Sequence, residues 1–264
     1  MKQFIHKYGQ SMIRAPLIFM FLAVFAFAPF FAAQAKSPER SVLFIGNSYT
    51  FYHDMPDTLV RLAGSDAGNK VQFQIKSVTR GGMNLTQLWN LREARQALPT
   101  HKWDYVVLQE QSFWPFLDGN IQETTAASVS WAREIIAVGA KPVVFMSWPR
   151  QPGSAWYSDP QSPFLKNPDY SHGRFQQQSK ILAKKIGGSV VPVGDYWYFA
   201  MQEYPQLQLY EADGSHPSAE GSFLTALVFY YYFTGRSPTE TTYTPPGISE
   251  DHAKILRLVA SYKG

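Results

Sequence analysis

The sequence Ser41-Val42-Leu43-Phe44-Ile45-Gly46-Asn47-Ser48 predicts a short buried strand that ends in a tight turn. Its apolar run is short and bounded by turn residues, which is typical of a strand buried on both faces. Gly46 permits the backbone geometry of a tight turn, so Ser48 lies directly beyond the end of the strand. A serine in this place is a candidate nucleophile, although turns and helix caps also use serine.

Further apolar segments alternate with amphipathic runs along the chain. The strand candidates are short, bounded by turn residues and rich in Val, Ile or Phe, at 41–45, 71–78, 105–109, 142–148 and 189–193. The helix candidates have apolar residues at helical spacing, at 56–67, 85–98, 124–138 and 171–186. This alternation predicts an α/β fold in which helices cover both faces of a mostly parallel sheet.

Ligands of such sheets bind beyond the carboxyl ends of the strands. Ser48, the segment 109–112 and Trp148 all come at the predicted carboxyl ends of strands. We therefore expect these residues to meet along one edge of the sheet, although they are far apart in the sequence.

The first 35 residues predict a secretory signal peptide. They contain Lys2, Lys7 and Arg14, then an uncharged stretch that ends in the small-x-small pattern Ala33-Gln34-Ala35. We expect cleavage after Ala35, a single domain at 36–264, and a periplasmic or secreted protein without stable membrane insertion. An uncleaved membrane anchor is the alternative, because the uncharged stretch is long enough to span a bilayer.

Composition excludes several classes of function. Without residues 1–35 the chain has 21 basic against 20 acidic residues, and it has no basic cluster with interleaved aromatics, so we expect no nucleic acid partner. The chain has no cysteine, which excludes thiol catalysis, thiolate metal sites and disulfides. A chain of this length buries enough surface to be stable without such cross-links.

A second segment, Asp213-Gly214-Ser215-His216-Pro217, supplies the groups that a serine nucleophile needs. Asp213 precedes His216 by three residues, so its carboxylate can lie beside the imidazole Nδ1 atom and leave Nε2 free to face a serine. An apolar stretch follows through Phe233 and is expected to hold His216 near the start of a helix. A helix-capping turn with an incidental histidine is the alternative.

Together these segments resemble the blocks of the SGNH/GDSL hydrolase family, in the family's order. Gly46-Asn47-Ser48 matches the first block, the pair Gly81-Gly82 the second, and Asp213 to His216 the last. The resemblance implies a flavodoxin-like three-layer α/β/α domain with Ser48 as nucleophile, His216 as general base and Asp213 as its orienting acid. It also implies that the amides of Ser48 and Gly82 form the oxyanion hole, and that no cofactor or metal is required.

One block departs from the family's pattern. After the third strand the family shows Gly-x-Asn-Asp, whose asparagine donates a hydrogen bond to the oxyanion. This chain reads Leu108-Gln109-Glu110-Gln111-Ser112 instead. A glutamine amide can make the same hydrogen bond. We expect the third donor to be Gln109, at the strand end, or alternatively Gln111.

Aromatic residues also follow the predicted strand ends. Trp114 and Trp148 are candidate substrate-binding residues that would stack on a sugar or acyl group, and core packing is the alternative. Glu110 is expected to be a satisfied buried carboxylate and His53 to pack in a loop. The remaining histidines lack the spacing of metal ligands, and we expect them to lie at the surface: His101, His172 and His252.

The sequence therefore predicts an exported serine ester hydrolase that forms an acyl-enzyme on Ser48. The expected substrate is a small-molecule or carbohydrate ester that carries a small acyl group such as acetyl. Two alternatives remain at this stage: a lipase or thioesterase for longer acyl chains, and a non-catalytic carbohydrate-binding protein on the same scaffold.

Overall fold

A sheet of five parallel strands runs through residues 38–262, the part of the chain that the computed structural model describes. The strands are β1 (Glu39–Gly46), β2 (Gln72–Thr79), β3 (Tyr105–Leu108), β4 (Lys141–Phe145) and β5 (Ser189–Val191). Their order across the sheet is β2-β1-β3-β4-β5, and every neighbouring pair is parallel. The predicted α/β class with a parallel sheet is thus confirmed.

Helices cover both faces of the sheet. They are α1 (Ser48–Phe51), α2 (Met55–Ser65), α3 (Leu85–Asn90), α4 (Arg92–Ala97), α5 (Asp118–Ala137), α6 (Pro168–Lys185), α7 (Val193–Glu203), α8 (Ala219–Thr234) and α9 (Glu250–Ser261). Short 3₁₀ turns lie at Tyr52–Asp54, Leu98–Thr100, Ala155–Tyr157 and Pro238–Glu240. Helices α2, α7, α8 and α9 pack on one face, and α3 to α6 pack on the other.

Strand β1 explains why its sequence is a continuous apolar run. Successive side chains of a strand point to opposite faces. Val42 and Phe44 therefore join the core beneath α2 and α8, while Leu43 and Ile45 join the core beneath α3 to α6, and all four are fully buried. A strand that is buried on both faces needs apolar side chains at every position, so its sequence does not alternate between apolar and polar residues.

The position of β1 also decides where a ligand can bind. β1 lies between β2 and β3, so the chain adds β2 on one side of β1 and then crosses over to add β3 on the other side. In a doubly wound sheet this change of direction opens a crevice beyond the carboxyl ends of the two central strands. Ser48 begins α1 two residues after β1 ends, so it lies at this crevice.

Some element boundaries differ from the prediction. The predicted helix 85–98 breaks at Leu91, whose backbone is extended with ψ 118° between α3 and α4. The predicted strand 142–148 ends at Phe145, and the strand 189–193 ends at Val191, because Pro192 lacks the N–H for the ladder and α7 begins at Val193. Helices α1, α7 and α9 are not among the predicted elements.

The predicted signal peptide at 1–35, and the alternative membrane anchor there, lie outside the described residues. Within residues 38–262, no helix combines the length and the apolar character needed to span a membrane.

Candidate active site

The turn that carries Ser48 is held from below by buried polar side chains. Asn47 caps α1, and its side-chain oxygen accepts a hydrogen bond from the Tyr49 amide over 3.2 Å. A Cβ atom at Gly46 would lie 2.7 Å from both Gln109 Oε1 and Thr50 Oγ1, so only glycine fits there. The local sequence thus dictates both the tight turn and the place of the serine.

Ser48, His216 and Asp213 form one continuous chain of hydrogen bonds. Ser48 Oγ lies 2.9 Å from His216 Nε2, and His216 Nδ1 lies 2.5 Å from Asp213 Oδ2. Ser48 and His216 are separated by 168 positions in sequence, so only the fold brings them together. This is the arrangement in which an imidazole takes a proton from a hydroxyl while a carboxylate orients the ring.

The Asp213 carboxylate is ionised and fixed in position. Its Oδ1 atom accepts hydrogen bonds from the amides of Ser215 and His216, each over 2.9 Å. Partial burial favours the neutral acid, but the hydrogen bonds from the His216 ring and from these two amides outweigh burial and lower the pKa of Asp213 below its usual value. The negative charge therefore persists at neutral pH and can stabilise an imidazolium.

One face of the His216 ring is covered by Tyr52, with ring centroids 4.6 Å apart and planes 15° from parallel. The two residues after Tyr52, His53 and Asp54, both have left-handed backbones, with φ of 49° and 50°. Such conformations are costly for residues other than glycine and persist where surrounding contacts enforce them. His53 Nε2 lies 2.7 Å from Glu211 Oε1, so His53 joins the loop of Asp213 to the nucleophile turn and does more than pack.

Gly82 lies in a loop whose residues before and after it hydrogen-bond to the nucleophile turn. The Arg80 amide donates to the Gly46 carbonyl over 3.1 Å, and Asn47 Nδ2 donates to the Met83 carbonyl over 3.0 Å. Gly82 itself has a left-handed backbone with φ 71°. These contacts bring the predicted second oxyanion donor beside the nucleophile turn.

The two candidate glutamines occupy different environments. Gln109 is buried, its Oε1 accepts from the Asn47 amide and from Thr50 Oγ1, and its Nε2 donates to the Glu110 carbonyl over 2.5 Å. Its amide therefore supports the nucleophile turn and is not placed as the third oxyanion donor, which corrects our first choice. The reason is that the Asn47 amide and the Thr50 hydroxyl, both in the turn and helix after β1, hold the Gln109 side-chain oxygen.

Gln111 is the glutamine with a free donor. Its Oε1 accepts from the Phe113 amide over 2.8 Å, and its Nε2 makes no hydrogen bond within the described residues. Gln111 lines the same cleft as Gly82. It is therefore the glutamine whose amide N–H groups remain available to a ligand.

This cleft, which we call the polar cleft, has a volume of about 240 Å³. It is lined mainly by amide and carboxylate side chains, including Asn84, Gln111, Asn120 and Glu123, with Trp114 and Gly82. Such side chains hydrogen-bond to hydroxyl groups. The cleft therefore suits a hydroxylated group. Ser48, Asp213 and His216 do not line it, and Gly82 is the lining residue whose loop contacts the nucleophile turn.

Glu110 forms the buried wall of the polar cleft. Its carboxylate accepts hydrogen bonds from the amides of Leu85 and Gln111 and from Thr124 Oγ1, which fits the expected satisfied carboxylate. Burial raises the pKa of Glu110 to about 7, although these hydrogen bonds oppose the rise.

The two candidate tryptophans differ in position. Trp148 is fully buried and lies in a stack between Tyr49 and Trp197, with ring centroids 4.5 Å and 3.8 Å away. It therefore packs in the core and is not placed to bind substrate, which corrects that prediction. Trp114 is also largely buried, but it lines both the polar cleft and an apolar groove between α5 and α6.

The remaining histidines within residues 38–262 each have a polar partner at 2.7–3.0 Å. His101 contacts Ser41, His172 contacts Asp195, and His252 contacts Glu220. They do not group with acidic residues into a cluster that could hold a metal ion within the described residues.

Sequence reasoning missed Tyr52, Glu211 and Arg150. Tyr52 lies four residues after Ser48 and Glu211 two residues before Asp213, and this proximity was the one usable signal. Arg150 follows β4 in a proline-rich loop, and its burial depends on contacts with distant segments that the sequence does not reveal.

No family model matches the sequence, and no curated protein matches it. Solved structures do match. A protein from Slackia heliotrinireducens, provisionally assigned as an SGNH hydrolase, is 28% identical with a TM-score of 0.60 over 74% of this chain and 99% of that one.

Two other similar structures share the fold at lower identity. A DUF4886 family protein from Bacteroides uniformis is 20% identical with a TM-score of 0.70, over 84% of this chain and 93% of that one. An acetylxylan esterase from Geobacillus stearothermophilus is 17% identical with a TM-score of 0.53, over 74% of this chain and 94% of that one.

Proposed function

The chain is a member of the SGNH/GDSL hydrolase family, and we propose that it is a serine ester hydrolase that acts through an acyl-enzyme on Ser48. The observation that carries this proposal is the hydrogen-bonded chain from Ser48 Oγ through His216 to Asp213. The similar structure at 28% identity supports a hydrolase of this family.

The proposal assigns each step of the reaction to a group of this chain. Ser48 Oγ attacks the ester carbonyl carbon while its proton passes to His216 Nε2. The proton then passes to the departing alcohol as the ester C–O bond breaks. Water, deprotonated by the same nitrogen, attacks the acyl-enzyme and releases the carboxylic acid together with free Ser48.

The negative charge that develops on the carbonyl oxygen needs hydrogen-bond donors. We assign these to the amides of Ser48 and Gly82 and to the side-chain amide of Gln111. Loss of one such donor lowers kcat by on the order of 10²–10³.

The proposed substrate is an ester of a small acyl group, such as acetyl, on a carbohydrate. The polar cleft supports this, because a volume of about 240 Å³ lined by amides and carboxylates suits a single sugar ring. The stacked rings of Tyr49, Trp148 and Trp197 fill the interior next to the nucleophile helix, which limits the space for a long acyl chain. An acetylxylan esterase among the similar structures is compatible with this choice.

A lipase or thioesterase that takes longer acyl chains is the second candidate. The observation in its favour is the apolar groove between α5 and α6, with a volume of about 650 Å³ and a lining that includes Ile121, Val129 and Leu182. Trp114 borders both this groove and the polar cleft. The third possibility, a carbohydrate-binding protein without activity, predicts sugar binding and no hydrolysis.

Purified protein assayed on p-nitrophenyl esters from acetyl to palmitoyl tests the proposal. We expect Ser48→Ala to lower kcat/KM by on the order of 10⁴-fold or more. Ser130→Ala is the matched control, because Ser130 only bonds to the Ala126 carbonyl of its own helix. Hydrolysis that survives Ser48→Ala would contradict the mechanism.

Chain-length preference then separates the candidates. A preference for acetyl supports the carbohydrate esterase, and a preference for long chains supports the lipase. For the former, Asn120→Ala should raise KM for an acetylated sugar and leave kinetics on p-nitrophenyl acetate unchanged. Export is part of the proposal. Mass spectrometry of the intact protein purified from the native cell tests it, and we expect the mass of residues 36–264.

A further inference from the structure

Arg150 is a buried cation that forms no ion pair with any residue of 38–262. It lies in the loop after β4, and only 5% of its surface is exposed. No carboxylate within the described residues lies at ion-pair distance from its guanidinium, and its Nε atom is buried without a hydrogen-bond partner. Buried charges are normally paired, so a lone buried arginine requires another reason for its position.

The guanidinium is held by two hydroxyl groups and two aromatic rings. Nη1 donates to the Tyr49 hydroxyl over 2.5 Å, and Nη2 donates to Ser112 Oγ over 2.8 Å. The Cζ atom lies 4.7 Å from the ring centroid of Phe113 and 4.8 Å from that of Trp156. Cation–π contacts with these two rings compensate part of the lost hydration.

Three of these four contacts lead to parts of the proposed active site. Tyr49 follows Ser48, and its hydroxyl also lies 2.7 Å from Ser215 Oγ, beside His216. Ser112 follows Gln111, the proposed oxyanion donor. Trp156 Nε1 donates to the Asp213 carbonyl over 2.7 Å.

One side chain therefore touches, directly or through one partner, the nucleophile turn, the loop of Asp213 and His216, and the segment of Gln111. These segments follow β1, precede α8 and follow β3, so no local motif sets their relative positions. A guanidinium is planar and presents its donors in a fixed fork, so it fixes the angle between its partners. A lysine ammonium keeps the charge but not this directed geometry.

From this geometry we propose that Arg150 is a positioning residue that aligns Ser48, His216 and Gln111 for the reaction. The inference rests on the proposed function but concerns the assembly of the site and not the identity of the substrate. Arg150 touches no reacting atom and acts through Tyr49, Ser112 and Trp156.

The test compares Arg150→Lys, Arg150→Ala and Tyr49→Phe with wild type. We expect Arg150→Lys and Arg150→Ala to lower kcat by on the order of 10–100-fold, because misplacement of a reacting group by about 1 Å costs that much. KM should stay within about twofold, since no substrate contact is lost. Low concentrations of guanidinium ion should restore part of the activity of Arg150→Ala and none of that of Ser48→Ala.

Arg133→Ala is the matched control, because Arg133 is exposed on α5. Tyr49→Phe keeps the ring stack on Trp148 and removes only the oxygen that joins Arg150 to Ser215, so it decides the matter if both Arg150 variants fail to fold. We expect it also to lower kcat with KM unchanged. A folded Arg150 variant with the kcat of wild type would overturn the inference. If neither Arg150 variant folds, a wild-type kcat in Tyr49→Phe would overturn it.

A readout without substrate separates this inference from the proposed function. The proton shared by His216 and Asp213 should give a low-field NMR resonance in wild type that Asp213→Asn abolishes. We expect this resonance to shift or broaden in Arg150→Lys and to stay unchanged in Arg133→Ala. If wild type hydrolyses no ester but the resonance shifts in Arg150→Lys, the proposed function fails and the positioning role stands. If Arg150→Lys has both the resonance and the kcat of wild type, the positioning role is refuted.

Discussion

Replacement of Glu110 by glutamine should remove a specific pH dependence from the stability of the protein. Burial raises the pKa of Glu110 from 4.5 to about 7. The folded state therefore holds this proton more tightly than the unfolded state, and ionisation of Glu110 costs stability as the pH rises through this window. The rise in pKa corresponds to about 3 kcal/mol of unfolding free energy lost between pH 4.5 and about pH 8.

Glutamine has nearly the shape of glutamate and does not titrate. Its oxygen can accept from the amides of Leu85 and Gln111, and its nitrogen can donate to Thr124 Oγ1, whose hydroxyl rotates to accept. Titratable groups distant from Glu110 contribute equally to both proteins and cancel in the comparison. The unfolding free energy of Glu110→Gln minus that of wild type should thus increase by about 3 kcal/mol from about pH 4.5 to about pH 8.

Urea unfolding at a series of pH values measures this difference. The internal control is the comparison below about pH 3.5, where Glu110 is protonated in the folded and the unfolded protein alike, so the difference between Glu110→Gln and wild type should not change with pH there. A difference between Glu110→Gln and wild type that is constant with pH, or that falls as the pH rises, would refute the reasoning from burial.

Three other perturbations have defined outcomes. Gly46→Ala places a Cβ atom 2.7 Å from Gln109 Oε1, and it should lower the unfolding free energy by about 1–3 kcal/mol in urea; an unchanged midpoint contradicts this. Tyr52→Leu removes the ring stacked on His216 and should lower kcat about 2–5-fold in steady-state assays, while Tyr52→Phe should not, so equal effects would point to the hydroxyl instead. Hydrogen bonding to the Arg236 guanidinium lowers the pKa of Asp66 from 3.8 to about 2. The ionised Asp66 therefore stabilises the fold fully above about pH 4, and this stabilisation is lost as the pH falls towards about 2. In Asp66→Asn, the unfolding free energy measured in an acid titration should lack this decrease.

Local motifs were sufficient to predict the residues that carry the proposed chemistry. The nucleophile turn and the Asp213 to His216 segment are short, and their residue types alone define a serine, a base and an orienting acid. Their positions after a strand and before an apolar helix follow from hydrophobic periodicity. The structure then brings Ser48 Oγ to 2.9 Å from the His216 ring and the ring to 2.5 Å from the Asp213 carboxylate.

The neighbourhood of these residues was less accessible from sequence. Gln109 and Gln111 lie two positions apart in one loop, and no local rule says which amide faces the cleft. In the structure, the Gln109 side chain hydrogen-bonds to the Asn47 amide, the Thr50 hydroxyl and the Glu110 carbonyl, and the absence of a side chain at Gly46 leaves space for its oxygen. Trp148 likewise follows a strand end, yet it lies in the core because Tyr49 and Trp197 stack on both of its faces.

The sequence by itself determined the α/β class, the place of Ser48 at the carboxyl end of β1 and the pairing of Asp213 with His216. These depend on periodicity and on residues close together in the chain. Only the tertiary structure decided which glutamine keeps an unbonded side-chain N–H, that Trp148 lies in the core, and that three segments meet at Arg150. The physical reason is that the direction of a loop side chain is set by packing against segments that are distant in sequence, and no local pattern contains that information.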